Sequence, residues 1–429
     1  MTILRHTDPS FAEQIRRFDR RAEASDAVRD VVASVLANVR ANGNAALLEL
    51  TRKFDGAELT AEQLRVRTEE LESAWNSLQP EVRAALEASH RNVTSFAQHS
   101  MRKEWHMFNE QGGEVGEVFH PFERVGLYVP GGTAPLVSTS LMTVAIAAAA
   151  GVPEIVVCTP CGKDGQVNPN LLAALKLAGA TEIYRVGGSQ AIAAMAYGTE
   201  TIRPVVKIFG PGNSYVVEAK RQVFGLVSID LLPGPSEVMV LADRTANPAF
   251  IAADLLAQAE HGKDSGAGLV TDDAALLDAV LREIETQGAK LQRQQMIRSV
   301  LDKECFLILV SSLEEGAQLV NQYAPEHLSL VTSRELEILP LIRTAGAIFL
   351  GDYSPVAVGD FLAGPSHTLP TGGAGKSFPG LTVDMFQRRT SIVRLSKKAL
   401  TASEPIVRKF SEIEGLDAHG NSATIRVAE

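Results

Sequence analysis

From about residue 124 onward the chain alternates short β-branched runs with Ala/Leu-rich stretches of helical length, and this rhythm limits the possible folds more than any other feature. Strands predicted at 125–129, 154–158, 182–186 and 205–209 are separated by helices near 138–150, 170–178, 191–196 and 214–223. A strand, a helix and a further strand in succession call for a crossover, so neighbouring strands run parallel and helices cover both faces of the sheet. A second series follows, with strands at 238–241, 268–271, 306–310, 328–331 and 347–350 and helices near 248–260, 274–286, 313–322 and 336–344. Two α/β units in tandem are the expectation. No sequence repeat relates them, so any kinship would be one of shape.

The first hundred residues follow another rhythm. Val28, Val31, Val32, Val35, Leu36 and Val39 form one apolar helical stripe, which Asn42-Gly43-Asn44 is expected to end. Further helices are predicted at 61–78 and 81–96. Beyond Pro379 the chain reads as a tail with one helical stretch, 403–413, and then His419.

At 429 residues, 45% hydrophobic and 21% charged, the chain is long enough for more than one domain and globular in composition. Its net charge of −10, with both signs interleaved, argues against nucleic acid as the main partner, because phosphate binding needs a basic footprint. Three cysteines, Cys158, Cys161 and Cys305, cannot make an even disulfide framework, which points to a reducing compartment. The amino terminus lacks the pattern of a signal peptide, and the longest apolar run, 144–152, is well short of a membrane span of ~20 residues. A cytoplasmic protein without a membrane partner is expected.

Several familiar motifs are incomplete. Gly372-Gly373-Ala374-Gly375-Lys376-Ser377 ends like a phosphate-binding loop, but Pro370 stands where its first glycine belongs and no strand leads into it. No GxGxxG follows any predicted strand. Cys158-Thr159-Pro160-Cys161 has no second cysteine pair and no flanking cations, so a structural role is expected. Gly/Pro-rich turns do close the strands, at Pro130-Gly131-Gly132, Gly187-Gly188, Gly210-Pro211-Gly212-Asn213 and Gly234-Pro235-Ser236. In open α/β sheets such loops, outside the carboxyl ends of strands, hold ligands, although tight turning alone would also account for them.

Of nine histidines, His6, His90, His99, His106 and His120 lie in the polar first part, while His261, His327, His367 and His419 stand at element ends or in Gly/Pro-flanked loops. Gln258 and His261, at i and i+3, share one face at the end of a helix, where they offer two metal donors; a terminal histidine also suits the helix dipole. Asp360 and His419 would add an oxygen and a nitrogen, an N/O set suited to zinc, cobalt or manganese. Glu326-His327, just after Pro325, forms the sharpest local feature. The imidazole titrates near neutral pH and the carboxylate is placed to orient it or to activate water; a solvated pair fits the same letters.

The blocks VGLYVPGG, VGGSQAIAA, KIFGPGN, GPSEV, DLLAQAEHG, YAPEHL, GDF followed by GPSHTLPTGG, and EGLDAH occur in this order. Together they resemble the histidinol dehydrogenase family, from roughly Asp26 to the carboxyl end. The resemblance implies two successive oxidations of L-histidinol, through the aldehyde to L-histidine, with two NAD and one Zn2+ per subunit. It implies Gln258, His261 and Asp360 as zinc ligands, with His419 contributed by the partner chain of a homodimer. Glu326 and His327 become the acid/base pair, His327 as general base and Glu326 activating water in the second step.

Ser236, His367 and Glu414, with His327 and the metal ligands, would hold the substrate, and Tyr128, Gln190 and Asn213 would contact NAD. Ser366 stands where the family often has Asn before the histidine. The fold implied is two Rossmann-like α/β domains of incomplete similarity to a dinucleotide-binding fold, with a helical amino-terminal segment and a carboxyl-terminal dimerisation tail. The boundaries expected are 1–25 for the first segment, 26–126 with 236–380 for the metal-bearing domain, 127–235 for the NAD domain and 381–429 for the tail. Two other readings are a related zinc/NAD dehydrogenase of another small alcohol and a zinc-dependent hydrolase using Glu326. A solute-binding protein would need an export signal.

Overall fold

The computed structural model describes residues 1–16, 25–131 and 136–428. Gly132 of the first glycine turn, and part of the 1–25 segment, lie outside the described residues. Two parallel sheets dominate. One has five strands in the order Glu182–Arg185, Glu154–Thr159, Arg124–Tyr128, Lys207–Phe209 and Ser228–Ile229. The other has six, in the order Thr2–Arg5, Cys305–Leu309, Gly266–Thr271, Glu237–Ala242, His327–Val331 and Ala347–Leu350.

Both sheets follow one rule. The strand that comes first in each βα series lies in the middle, the next two lead off to one side, and the last two lead off to the other. The predicted kinship of shape is therefore present. Each sheet also has a switch point, at Arg124–Tyr128 beside Lys207–Phe209 and at Glu237–Ala242 beside His327–Val331, where the direction of chain progression across the sheet reverses. Buried Val, Ile and Leu fill the central strands on both faces, as a sheet covered twice requires.

The elements missed in the sequence are those without strong periodicity. Thr2–Arg5 is a parallel edge strand on Cys305–Leu309, so the amino-terminal segment is not wholly helical. Glu114–Pro121 pairs antiparallel with Trp105–Phe108 and with Gln387–Arg394, giving a third, two-sided ribbon inside what read as helical head and tail. The first helical run does break at Asn42-Gly43-Asn44, where Gly43 has non-helical φ 51° and ψ −128°, and a second run follows at once, to Phe54. The tail is a pair of helices, Lys397–Glu414 and Asp417–Thr424, packed on each other.

Packing also groups the chain differently from the expected boundaries. Val32, Val35, Leu36, Val39 and Leu50 share a core with Tyr128, Val156 and Ile208, and Leu86 and Val93 share one with Val125 and Ile155. The helical stretch 26–100 thus lies against the five-stranded sheet, whereas its sequence placed it with 236–380.

A fully buried ion pair, Lys220 with Asp230, fixes the loop after Lys207–Phe209. Lys220 Nζ donates to the Gly210 carbonyl at 3.0 Å, and Asp230 Oδ2 accepts from Gly210 N at 2.8 Å. Gly210 has φ 111°, and a Cβ there would run into the Tyr128 carbonyl, so only glycine lets the two strand ends approach. Lys220→Met leaves Asp230 buried without its cation and is expected to cost about 3–5 kcal/mol in urea unfolding. Adding Asp230→Leu should restore only part, since Gly210 then loses both partners; a single-variant loss under about 1 kcal/mol would contradict this assignment.

Candidate active site

The catalytic candidates stand at the amino edge of the six-stranded sheet, on its switch point. Helix Leu313–Tyr323 ends at Ala324 in the left-handed region (φ 54°), the one such non-glycine among the described residues, and Pro325 turns the chain into His327–Val331. Strained backbone of this kind persists where its surroundings over-determine it. The turn delivers Glu326 and His327 side by side, with His327 Nδ1 3.4 Å from Glu326 Oε2.

Glu237, which opens the neighbouring strand, holds both through its peptide groups. Its N–H donates to Glu326 Oε2 at 2.8 Å, and its carbonyl takes a hydrogen bond from His327 Nδ1 at 3.0 Å. A carbonyl can only accept, so Nδ1 carries the proton and the neutral ring presents Nε2 as a bare base. That Nε2 is buried with no hydrogen-bond partner, and Asp360 Oδ1 lies 3.7 Å from it. Glu237 was not singled out within its GPSEV block, because it acts through its backbone.

Glu326 is also held by Ser236 Oγ, which donates to Oε2 at 2.5 Å. Burial is the largest influence on its carboxyl and pushes its pKa up to about 7, against the lowering effect of His327, Ser236 and the Glu237 N–H. Such a group changes protonation near neutral pH, as an acid/base residue must.

Helix Pro248–Ala259 is started by Asn247, whose side chain accepts from Ala249 N, with Pro248 at its first position. Ile251, Leu255 and Gln258, at i, i+4 and i+7, share its buried face, so an amide occupies a position built for an apolar side chain. Gln258 Nε2 is buried without a partner. Turning the amide over places Oε1 there instead, an oxygen donor for a cation. His261 follows one turn later and is exposed.

Asp360 sits on the short helix Val356–Phe361, beside Gly359, where a Cβ would come within 2.5 Å of the Phe349 ring that tilts against His327. His367 Nδ1 lies 3.9 Å from Asp360 Oδ1, and burial pushes the His367 pKa down to about 4, with Asp360 opposing and His327 and His261 adding to the shift. The structure therefore gathers Ser236, Glu326, His327, Asp360 and His367, with His261 near enough to act on them.

Ser366 ties this segment to the other unit, donating from Oγ to the Met142 carbonyl at 2.8 Å, while Thr139 Oγ1 lies 3.4 Å from His367 Nε2. Met142 belongs to a π-helical turn, Leu141–Ala145, a form that collects at functional sites. The sequence gave no signal for it.

Tyr128, Gln190 and Asn213 all stand at the carboxyl edge of the five-stranded sheet. Tyr128 ends the central strand and its hydroxyl accepts from Gly188 N at 3.1 Å; Gln190 is buried in the first turn of Gly188–Tyr197; Asn213 caps Ser214–Val223 by accepting from Tyr215 N and Val216 N. The same chain does not bring Glu414 and His419 to this place. Both are exposed on the carboxyl-terminal helix pair, and among the described residues no hydrogen bond or ion pair joins either to Gln258, His261 or Asp360. Nor do three His, Cys, Asp or Glu among the described residues gather into a metal cluster within one chain.

The three cysteines are buried free thiols whose pKa values burial raises, to about 12 for Cys158 and Cys305 and about 11 for Cys161. That is the inert behaviour expected of structural cysteines. Among the described residues no helix is long and apolar enough to cross a membrane.

A family model described as histidinol dehydrogenase matches residues 18–427. The histidinol dehydrogenase of Heliobacterium mobile is 44% identical over 92% of this chain and 93% of its own. That of Syntrophotalea carbinolica is 43% identical over 100% of both. The crystal structure of histidinol dehydrogenase from Elizabethkingia anophelis superposes with a TM-score of 0.95 at 36% identity, covering 100% of this chain and 98% of that one. An acetylating aldehyde dehydrogenase from Geobacillus thermoglucosidasius, 14% identical with a TM-score of 0.51 over 90% of this chain and 96% of its own, shares the fold alone.

Glu326 also predicts a pH effect on stability. Between its ordinary value of 4.5 and about 7 the folded chain keeps a proton that the unfolded chain has released, so this group's contribution to stability falls as pH rises through that window. Glu326→Gln removes the penalty. It is expected to gain on the order of 1–3 kcal/mol over wild type in denaturant unfolding at about pH 8 and nothing at about pH 4, and an equal effect at both would contradict the buried acid.

Proposed function

The chain belongs to the histidinol dehydrogenase family, oxidoreductases of histidine biosynthesis, and from that membership we propose that it oxidises L-histidinol to L-histidine in two NAD-linked steps at the Glu326–His327 site. The observation that carries the proposal is the locked ring of His327. With Nδ1 donating to the Glu237 carbonyl, Nε2 has no partner among the described residues and stands ready to take a proton beside Asp360, which His367 also approaches.

In the first step His327 Nε2 removes the hydroxyl proton while the carbinol carbon gives up a hydride, leaving the aldehyde. In the second, the Glu326 carboxylate takes a proton from the water that adds to the aldehyde carbon. As the water adds, His327 returns its first proton to the former carbonyl oxygen and, neutral again, takes the hydrate's hydroxyl proton as the second hydride leaves. Each proton passes to a side chain already held by the peptide of Glu237. General-base help of this kind is worth roughly 10²–10⁴-fold.

The residues present fit a divalent metal of the zinc class. A buried amide without a partner, an imidazole and a carboxylate, Gln258, His261 and Asp360, make an N/O donor set, and His419 of the partner chain would complete it. The partner's chain is needed because one chain keeps its own His419 elsewhere. When bound, zinc and NAD would supply a template for the substrate's nitrogens and a hydride acceptor. Tyr128, Gln190 and Asn213 would line the NAD side; Ser236, His367 and, from the tail, Glu414 would orient the substrate.

Support for a homodimer comes from the tail. Ile406, Phe410 and Ile413 form an exposed i, i+4, i+7 stripe, with Val407 and Leu416 beside it, an apolar face of the kind a second copy covers. The parsing into an NAD domain of 127–235 and a metal-bearing domain around 236–380 is likewise proposed, on the strength of the two sheets.

NADH counted against L-histidinol and, separately, against L-histidinal divides the roles. Wild type should form two NADH per histidinol and lose both on removal of metal. His327→Asn should slow both oxidations by roughly 10²–10⁴-fold, whereas Glu326→Gln should slow mainly the aldehyde step and flatten its decline below about pH 7. Equal losses in both steps from Glu326→Gln would contradict the division, and no NADH from histidinol while another alcohol is oxidised would overturn the substrate.

A further inference from the structure

Helix Asp26–Phe54 ends on Asp55, at the carboxyl edge of the five-stranded sheet. Asp55 N is tied to the Thr51 carbonyl, so the residue continues the helical path and its side chain is aimed by the helix rather than by a loop. Asp55 Oδ1 lies 3.5 Å from where a Gly187 Cβ would stand, and that position is 2.7 Å from Pro160 Cβ. Tyr128 and Cys161 both feel the Asp55 charge. The carboxylate therefore stands among the ends of the first three strands of the series, Arg124–Tyr128, Glu154–Thr159 and Glu182–Arg185.

Two oxygens in this corner have no hydrogen-bond partner among the described residues. Asp55 Oδ2 is buried without a hydrogen-bond partner, and so is Thr159 Oγ1, the last residue of the second strand, which lies 3.2 Å from the Cβ position of Gly131. Burial moves the Asp55 pKa up to about 6. Arg185, whose charge reaches Cys161, is taken up by Glu70 and by the carbonyls of Gln63 and Arg65. Buried acceptors without donors are rare in folded chains and call for a bonding partner.

The strand order indicates what that partner is. In open α/β sheets with the first strand central, the acidic group that receives the adenosine ribose stands at the end of the second strand. Here the second strand ends in Cys158-Thr159-Pro160-Cys161, which carries no acid. The helix end supplies one from a hundred residues away in the chain.

We propose that Asp55, joined by Thr159, binds the adenosine ribose hydroxyls of NAD and makes this chain discriminate against the 2′-phosphate of NADP. The diol donates two hydrogen bonds where two acceptors wait, and a phosphate dianion would meet the Asp55 carboxylate instead. This rests on the NAD reading above and extends it to a residue that neither the sequence motifs nor the family blocks pointed to.

Calorimetric titration of the whole protein with NAD and with NADP, without substrate, tests the assignment. Wild type should bind NAD about tenfold or more tightly than NADP, since a charge-assisted pair to a diol is lost with the phosphate. Asp55→Asn should weaken NAD by about tenfold, narrow the gap to NADP, and leave the melting temperature level or higher, because it removes a desolvated carboxyl. A merely structural Asp55 would instead lower the melting temperature and keep the ratio. Asp55→Glu, one methylene longer, should also weaken NAD.

Wild type binding both nucleotides equally overturns the proposal without any variant. So does an unchanged NAD-to-NADP ratio in Asp55→Asn. A wild-type chain that binds NAD and forms NADH, with that ratio unchanged in the variant, sinks only this inference. One that neither binds NAD nor forms NADH from histidinol sinks the function as well.

Discussion

Two backbone hydrogen bonds from one residue, Glu237, hold the proposed acid/base pair in place. The N–H of Glu237 fixes the Glu326 carboxylate and its C=O fixes the proton on His327 Nδ1. Both bonds depend on the pairing of Glu237–Ala242 with His327–Val331, in which Val238 lies opposite His327. A slip of one residue would turn His327 to the other face of the sheet and leave Nδ1 without its carbonyl. The site is thus as rigid as the sheet, which is the support that precise proton transfer needs.

The two sheets share a strand order but offer opposite edges. The five-stranded sheet presents the carboxyl ends of its strands, with Tyr128, Gln190, Asn213 and the clamped Gly210 loop; the six-stranded sheet presents an amino end, where Glu326 and His327 enter. Ser366 and Thr139 bridge the two at His367. In the proposed reaction a nucleotide held by one edge and an alcohol held by the other would meet between them.

Much of this was legible in the sequence, and the exceptions have physical reasons. The central strands announced themselves because burial on both faces demands unbroken apolar runs, as in the Val-Met-Val-Leu-Ala of 238–242. Trp105–Phe108 did not, since all four residues are exposed and nothing forces an alternation. Thr2–Arg5 is a four-residue edge strand with one buried side chain. Glu326 and His327 stood out as adjacent titratable residues before a strand, whereas Gln258 looked like any helical amide until its place on the buried face was known. Glu237 acts through its backbone and Asp55 comes from a distant helix end, so neither leaves a local pattern to read.

In the proposed dimer, His327 of one chain and the partner's His419 complete one site for histidinol. Mixing His327→Asn chains with His419→Ala chains under conditions that let subunits exchange, and following NADH formed from L-histidinol, tests it directly. Each variant alone should be nearly silent, and the mixture should recover about a quarter of wild-type activity, since half of the dimers then carry one intact site of two. A mixture as silent as its components, or a His419→Ala chain that keeps wild-type activity on its own, would contradict the shared site.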